Sequence, residues 1–159
     1  MKIEDALARR KSIDLQRLDV LDAADLRPRL AIACGSQDNL RRALVESRTH
    51  AFALAPLAEQ LTEWLREQWR VVLTVASLSA AERLKDLLGH YGLAARTVSE
   101  ARPVWHWSLP GRIEIRVAAL SDGFSLFEEK LAVVTEEEIF GRRERQRRRS
   151  SWKEATSLE

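Results

Sequence analysis

The chain has 159 residues, the length of one ordinary domain. Hydrophobic residues make up 45% and charged residues 31%, and 26 basic against 24 acidic side chains give a net charge of +2. This composition supports a packed core and excludes a disordered polyanion, a collagen-like chain and a disulfide-stapled miniprotein. The one cysteine, Cys34, has no partner for an internal disulfide. Because the sequence also lacks a signal peptide and an apolar run of 18 residues, we expect a cytoplasmic protein without a membrane partner.

Basic residues are concentrated at the carboxyl terminus. Residues 1–140 carry 19 basic and 21 acidic side chains, whereas residues 141–159 carry seven basic and three acidic ones. Six of those seven form one arginine run: Arg142, Arg143, Arg145, Arg147, Arg148 and Arg149. Such a run either contacts the phosphates of a nucleic acid or is a solvated linker, and we favour the linker. The final Leu158-Glu159 resembles a vector-derived remnant, so we expect a segment of a longer protein.

The sequence pattern of the first fifty residues indicates few secondary-structure elements. Residues 29–34 predict a strand that Gly35 ends. Residues 36–46 predict a helix, because Leu40 and Leu44 share one apolar face.

From residue 53 onward the pattern becomes clearer. Pro56 suits the first turn of a helix, and the apolar stripe that follows extends to Trp69. Residues 71–76 form a continuous run rich in β-branched side chains, which is typical of a strand covered on both faces of a parallel sheet.

A second helix and three further strands follow. Ser79 and Glu82 have the spacing of a capping box, which predicts a helix that ends near Gly92. The further strands are predicted at residues 95–98, 113–117 and 131–135. The order of elements predicts an α/β fold, with an open, mostly parallel small sheet flanked by helices. The link over residues 121–130 is short for a crossover, so an antiparallel last strand remains an alternative.

Motifs of nucleotide-binding enzymes are absent from the sequence. None of the five lysines follows a glycine, so there is no phosphate-binding P-loop. The turn after residue 76 lacks Gly-x-Gly-x-x-Gly, although the helix start near Ser79 offers N–H groups to an anion. His50, His90 and His106 have no ligand-spaced partners. We therefore expect no catalytic, cofactor-binding or metal-binding residue in this chain.

Three other features have structural interpretations. Residues 105–107, Trp-His-Trp, form either an aromatic platform for a base or peptide or a plug under a long loop, and we favour the plug. Cys34 is predicted to be buried. The three glutamates at residues 136–138 are predicted to be a solvated helix start with Thr135 as the N-cap, rather than catalytic acids.

The order of elements from residue 71 resembles the second lobe of a helicase-type motor. In such lobes a strand–helix–strand unit leads to a further strand, a glycine-containing loop such as Asp122-Gly123-Phe124 here, and another strand. A working lobe then carries Gln-x-x-Gly-Arg-x-x-Arg, whereas residues 140–145 read Phe-Gly-Arg-Arg-Glu-Arg. The resemblance implies the fold of the lobe without its catalytic equipment.

A longer string is similar to the middle of the bacterial transcription-repair coupling factor. It runs from Gly123-Phe124 through residues 131–143 to the arginines at 147–149, and residues 38–41 and 54–57 support it. The resemblance covers about residues 1–150. It implies a segment of a large ATP-driven DNA translocase that displaces stalled RNA polymerase and recruits the excision-repair machinery.

This resemblance also implies a division of the chain. Residues 1–52 would end a degenerate module similar to the helicase of excision repair, residues 53–141 would form a small α/β domain, and residues 142–159 would be a basic linker. The ATPase motifs of the family lie outside this segment, so ATP is a cofactor of the parent protein alone. The implied partners are neighbouring domains for this segment, and RNA polymerase, DNA and excision-repair proteins for the parent.

We therefore expect a non-catalytic structural and interaction domain of such a coupling factor. Two other classes remain: a nucleic-acid-binding module that uses the arginine run, and a nucleotide enzyme that uses the turn after Ala76. An exposed apolar surface at Trp64 and Trp69, or at residues 105–107, is where a partner is expected to bind.

Overall fold

A computed structural model of the chain describes residues 30–49, 52–98 and 109–141. The strands are β1 (Cys34–Ser36), β2 (Arg70–Val75), β3 (Ala95–Val98), β4 (Arg112–Val117), β5 (Phe124–Leu126) and β6 (Leu131–Thr135). The helices are α1 (Asp38–Ser47), α2 (Ala55–Arg66), α3 (Leu78–His90) and α4 (Glu136–Phe140). None of these helices is long and apolar enough to cross a membrane.

The described strands form one six-stranded sheet in the order β1-β5-β6-β2-β4-β3. β2 lies at its centre, parallel to β6 on one side and to β4 on the other, and β3 is parallel to β4. Every residue of β2 from Val71 to Val75 is buried, as its β-branched run predicts for a central parallel strand. The α/β prediction is confirmed.

The short link before β6 contains a strand that the sequence pattern did not reveal. β5 pairs antiparallel with β6 as a hairpin, and β1 pairs antiparallel with β5. β6 itself is parallel to β2, because the chain crosses to the other side of β2 before the hairpin begins. The link is therefore short because β5 and β6 are neighbours.

β1 lies later in the chain than predicted, and Gly35 is its middle residue rather than its end. A Cβ on Gly35 would come within 2.8 Å of the ring of Phe127. The glycine is thus explained by close packing of an aromatic ring. Cys34 is exposed, which overturns the prediction of a buried thiol. Among the described strands β1 pairs only with β5, so it lies at the margin of the sheet, away from the main core.

The four helices of the described residues all contribute to one hydrophobic core. Leu44 of α1, Leu61 of α2, Leu84 of α3 and Ile139 of α4 belong to the same buried cluster. α1 is therefore part of the α/β body, and the compact unit that contains the sheet begins at Ile32. The family resemblance, by comparison, implies a boundary after residue 52.

The two faces of the sheet differ. On one face Val71 and Leu73 of β2 contribute to the core shared with the helices, whereas Val72 belongs to a smaller cluster with Leu131 and Val133. Glu114 and Arg116 of β4, which alternate with the core residues, form an ion pair of 2.8 Å with side chains only 13% and 8% exposed. The pairing neutralises charges that burial alone would disfavour.

Trp64 and Trp69 are core residues, which corrects the expectation of an exposed apolar surface there. Their rings stack with centroids 6.0 Å apart, and both are less than a tenth exposed. α2 ends at Arg66 rather than reaching Trp69, because Gln68 adopts a positive φ of 63° and turns the chain into β2.

The N-cap of α3 is Ser77, not Ser79 as predicted. Ser77 has extended backbone angles, and its Oγ accepts a hydrogen bond from the N–H of Ala80 at 3.2 Å. Glu82 instead pairs with Lys85 along the helix at 3.4 Å.

This assignment predicts different effects for two neighbouring serines. We expect Ser77→Ala to lower the free energy of unfolding by about 1 kcal/mol, because a capping acceptor is lost at the helix start. Ser79→Ala is the matched control: the exposed Ser79 hydroxyl is bonded to the Ser77 hydroxyl at 3.0 Å but caps no backbone N–H, so the expected loss is below about 0.5 kcal/mol. Urea denaturation of both variants measures the difference, and a larger loss for Ser79→Ala would contradict the assignment.

Candidate functional site at the carboxyl edge of the sheet

The carboxyl ends of the parallel strands are where open α/β sheets bind ligands. In this chain β2 ends at Val75, β4 at Val117 and β6 at Thr135, and the three strands are neighbours. The segments that leave these ends therefore meet at one edge and form the candidate site.

The turn after β2 is occupied by the chain's own side chains. The Oε2 atom of Glu136 accepts a hydrogen bond from the N–H of Ala76 at 2.8 Å, and the Ser77 hydroxyl caps α3. A carboxylate thus lies beside the helix start that could offer N–H groups to an anion. Its negative charge opposes the entry of a phosphate group.

Glu138 is the buried centre of the edge. Its Oε1 accepts the N–H of Gly123 at 2.9 Å, while its Oε2 accepts the N–H of Thr135 at 2.8 Å and the Thr135 hydroxyl at 3.1 Å. The Thr135 hydroxyl oxygen in turn accepts the N–H of Glu138, which completes a capping box. Thr135 is confirmed as the N-cap.

The prediction of a solvated glutamate cluster is wrong for one member. Glu138 is 6% exposed, whereas Glu136 is half-buried and Glu137 is exposed. The difference follows from the capping box, because the third residue of the helix folds its side chain back over the strand end. The Thr-x-x-Glu spacing was the available sequence signal for this role.

Gly123 is enclosed by the groups around Glu138. A Cβ on this residue would collide with the Glu138 carboxylate and with the backbone carbonyl of Val133, and would lie 3.1 Å from Cγ of Gln37. Gln37 itself donates a buried hydrogen bond of 2.8 Å to the Ser125 hydroxyl. The loop before β5 is thereby held against both α4 and the start of α1.

A shallow cleft of about 270 Å³ lies between α1, α4 and the loop before β5. Its lining mixes charges of both signs: Arg41, Val45, Arg48, Ser121, Asp122, Glu137, Glu138 and Gly141. Arg41 is paired with Asp38 at 2.8 Å. This balance of charge favours neither a polyanion nor a cation, and the described residues contain no group of His, Cys, Asp and Glu that could hold a metal ion.

Two groups of residues to which the sequence assigned a possible binding role lie outside the described part of the chain. These are the arginines of residues 142–149 and the aromatic segment at residues 105–107. His50 also lies outside it, whereas His90 is exposed at the last residue of α3.

Comparisons with known proteins agree on one family. Residues 65–139 match the family model described as MFD, D3 domain. The chain is also 32% identical over 131 residues to a transcription-repair-coupling factor of Myxococcus xanthus. That alignment covers 80% of this chain and 11% of the relative, so the chain spans about a tenth of the length of that protein.

Proposed function

The chain is a segment of a protein of the transcription-repair-coupling factor family, and on this premise we propose that it is a non-catalytic structural and interaction domain. In this proposal the parent protein is an ATP-dependent DNA translocase that displaces stalled RNA polymerase and recruits nucleotide-excision repair in the cytoplasm. The segment packs against neighbouring domains of the parent and holds them in position.

One observation carries the non-catalytic assignment. At the edge where a motor lobe would hold phosphate, the Ala76 N–H is bonded to the Glu136 carboxylate. A nucleotide phosphate would have to displace a carboxylate that belongs to the chain itself, and the sequence offers no P-loop lysine to compensate. ATP, in this proposal, binds the parent outside this segment.

Titration with ATP tests the assignment directly. We expect the amide signals of residues 76–80 in a ¹⁵N-labelled chain to change no more with ATP than with sodium chloride of equal ionic strength. The Glu136 carboxylate is the physical reason, since it already satisfies the Ala76 donor. Saturable shifts at these amides, or hydrolysis of a nucleoside triphosphate by the purified chain, would overturn the proposal.

A second candidate function rests on the arginine run. Arg142, Arg143, Arg145, Arg147, Arg148 and Arg149 place six positive charges within eight residues. If each neutralises one phosphate of duplex DNA, the logarithm of the binding constant falls with the logarithm of salt concentration with a slope of about −5.

Deletion of residues 142–149 is the matched variant for this second function. Nucleic-acid binding by the run predicts that the deletion abolishes both the affinity and its salt dependence in a fluorescence-anisotropy titration. Absence of binding by the intact chain at low salt would leave the run as a linker.

A further inference from the structure

Two exposed segments at the carboxyl edge of the sheet contain no charged residue. The first is the turn after β2 with the start of α3 (Ala76, Ser77, Leu78 and Ser79), and the second is the last residue of β4 with the loop that follows it (Val117, Ala118, Ala119, Leu120 and Ser121). Charged residues make up 31% of the chain, so nine largely exposed residues without one depart from its composition. We call residues 76–79 and 117–121 the neutral edge.

The two segments are neighbours in the fold. The N–H of Ala118 donates a hydrogen bond of 3.1 Å to the carbonyl of Val75, and Val75 is the register partner of Val117. Three aliphatic side chains of the neutral edge are exposed to water: Leu78 by 55%, Val117 by 46% and Leu120 by 36%. Exposed aliphatic groups on neighbouring segments are a common feature of interaction surfaces.

The chemistry of the neutral edge selects the class of partner. A nucleic acid needs lysine or arginine to neutralise its phosphates, and the neutral edge has neither. The centres of protein–protein interfaces, by contrast, are depleted of charge and rich in apolar groups. The Glu136 carboxylate, which is bonded to the Ala76 N–H beside the neutral edge, adds a negative charge that also disfavours a nucleic acid. The neutral edge itself therefore fits an uncharged, apolar protein surface.

The size of the neutral edge indicates where that surface comes from. A stable complex of two free proteins uses about 20–30 residues on each side, far more than the nine available here. A small contact suffices when the partner is tethered, because a linker raises its effective concentration to the millimolar range. The aligned relative has about nine-tenths of its length outside the part matched by this chain, which supplies such tethered surfaces.

We propose that the neutral edge docks an uncharged, apolar surface of another domain of the same polypeptide. This inference rests on the proposed function and adds the surface through which the domain acts. The Glu136 carboxylate accepts the N–H of Ala76 and the Ser77 hydroxyl accepts the N–H of Ala80, so these two donors are already bonded within the chain.

Site-specific photo-cross-linking in the full-length parent protein tests the proposal. The photoreactive residue p-benzoylphenylalanine replaces Leu78 in one variant and Phe127 in the matched control. Phe127 is exposed to a similar extent, 54%, but lies in the turn between β5 and β6, at the opposite end of β6. We expect position 78 to form intrachain cross-links to another domain, with a yield independent of protein concentration. Position 127 is expected to give at most a fifth of that yield with the same domain.

A second variant separates docking from folding. Leu120→Glu, added to the position-78 variant, is expected to lower the cross-link yield at least fivefold while leaving the urea midpoint of the isolated chain unchanged. A yield at position 78 no higher than at position 127, cross-links between two copies, or cross-links to DNA would each overturn the proposal. None of these outcomes alters the ATP titration, so failure of the docking surface and failure of the non-catalytic assignment are told apart.

Discussion

Gly123→Ala is expected to lower the free energy of unfolding by about 3 kcal/mol. The added methyl group would overlap the Glu138 carboxylate and the carbonyl oxygen of Val133. The carbonyl belongs to β6 at the centre of the fold and has little freedom to move. Relief of the overlap therefore requires the loop to shift, which lengthens the hydrogen bond from the Gly123 N–H to Glu138.

Gly89→Ala is the matched control for this substitution. Gly89 lies in α3, and a Cβ there meets no atom within 4 Å. We expect this variant to be more stable than the parent chain by about 0.5–1 kcal/mol, because alanine favours the helix over the unfolded chain. Urea denaturation of both variants gives the comparison, and equal stabilities would contradict the enclosure of Gly123.

Glu138→Gln is expected to lower the free energy of unfolding by about 2 kcal/mol. The carboxylate accepts hydrogen bonds from the Gly123 N–H through one oxygen and from two groups of Thr135 through the other. Glutamine has the same shape, but its amide nitrogen is a donor and must face one of these donors. At least one buried N–H group is then left without an acceptor.

Glu128→Gln serves as the control because it makes the same change of atoms on an exposed residue. Its expected effect is below about 0.5 kcal/mol. The difference between the two variants isolates the buried hydrogen bonds from the loss of one negative charge. If the Glu138 variant were as stable as the Glu128 variant, the capping box would contribute nothing measurable to the fold.

The substitutions of Gly123 and Glu138 test one set of hydrogen bonds at the carboxyl edge of the sheet. Glu138 connects the end of β6, the loop before β5 and α4 within one set of hydrogen bonds. Gly141, which follows α4, has a φ of +85°, and because it has no Cβ the guanidinium group of Arg48 lies against its backbone.

The family resemblance stated from residues 123–149 agrees with the comparisons, although the arginines at its end lie outside the described residues. The resemblance depended on the Gly123-Phe124 pair and on Thr135 and the glutamates that follow it. Both groups lie at the carboxyl edge of the sheet, where Glu138 bonds to Gly123 and Thr135. These residues therefore have physical roles in the fold as well as diagnostic value.

Features that depend on neighbours along the chain were determined by the sequence alone. The β-branched run of residues 71–76 identified the central strand, and the apolar spacing of Leu40 and Leu44 identified α1. Thr135 was recognised as an N-cap because the group that it caps lies three residues away.

Features that depend on distant segments were decided by the tertiary structure. β5 exists because β6 offers it a partner, Trp64 and Trp69 are buried because the sheet and helices enclose them, and Cys34 is exposed because β1 lies at a margin. The Glu136 carboxylate reaches the Ala76 N–H across sixty residues of sequence. Periodicity and capping signals depend on residues within one or two helical turns of each other, so they can be read from the sequence. The order of the strands, the burial of side chains and the position of the Glu136 carboxylate at the carboxyl edge of the sheet arise only when segments far apart in sequence come into contact.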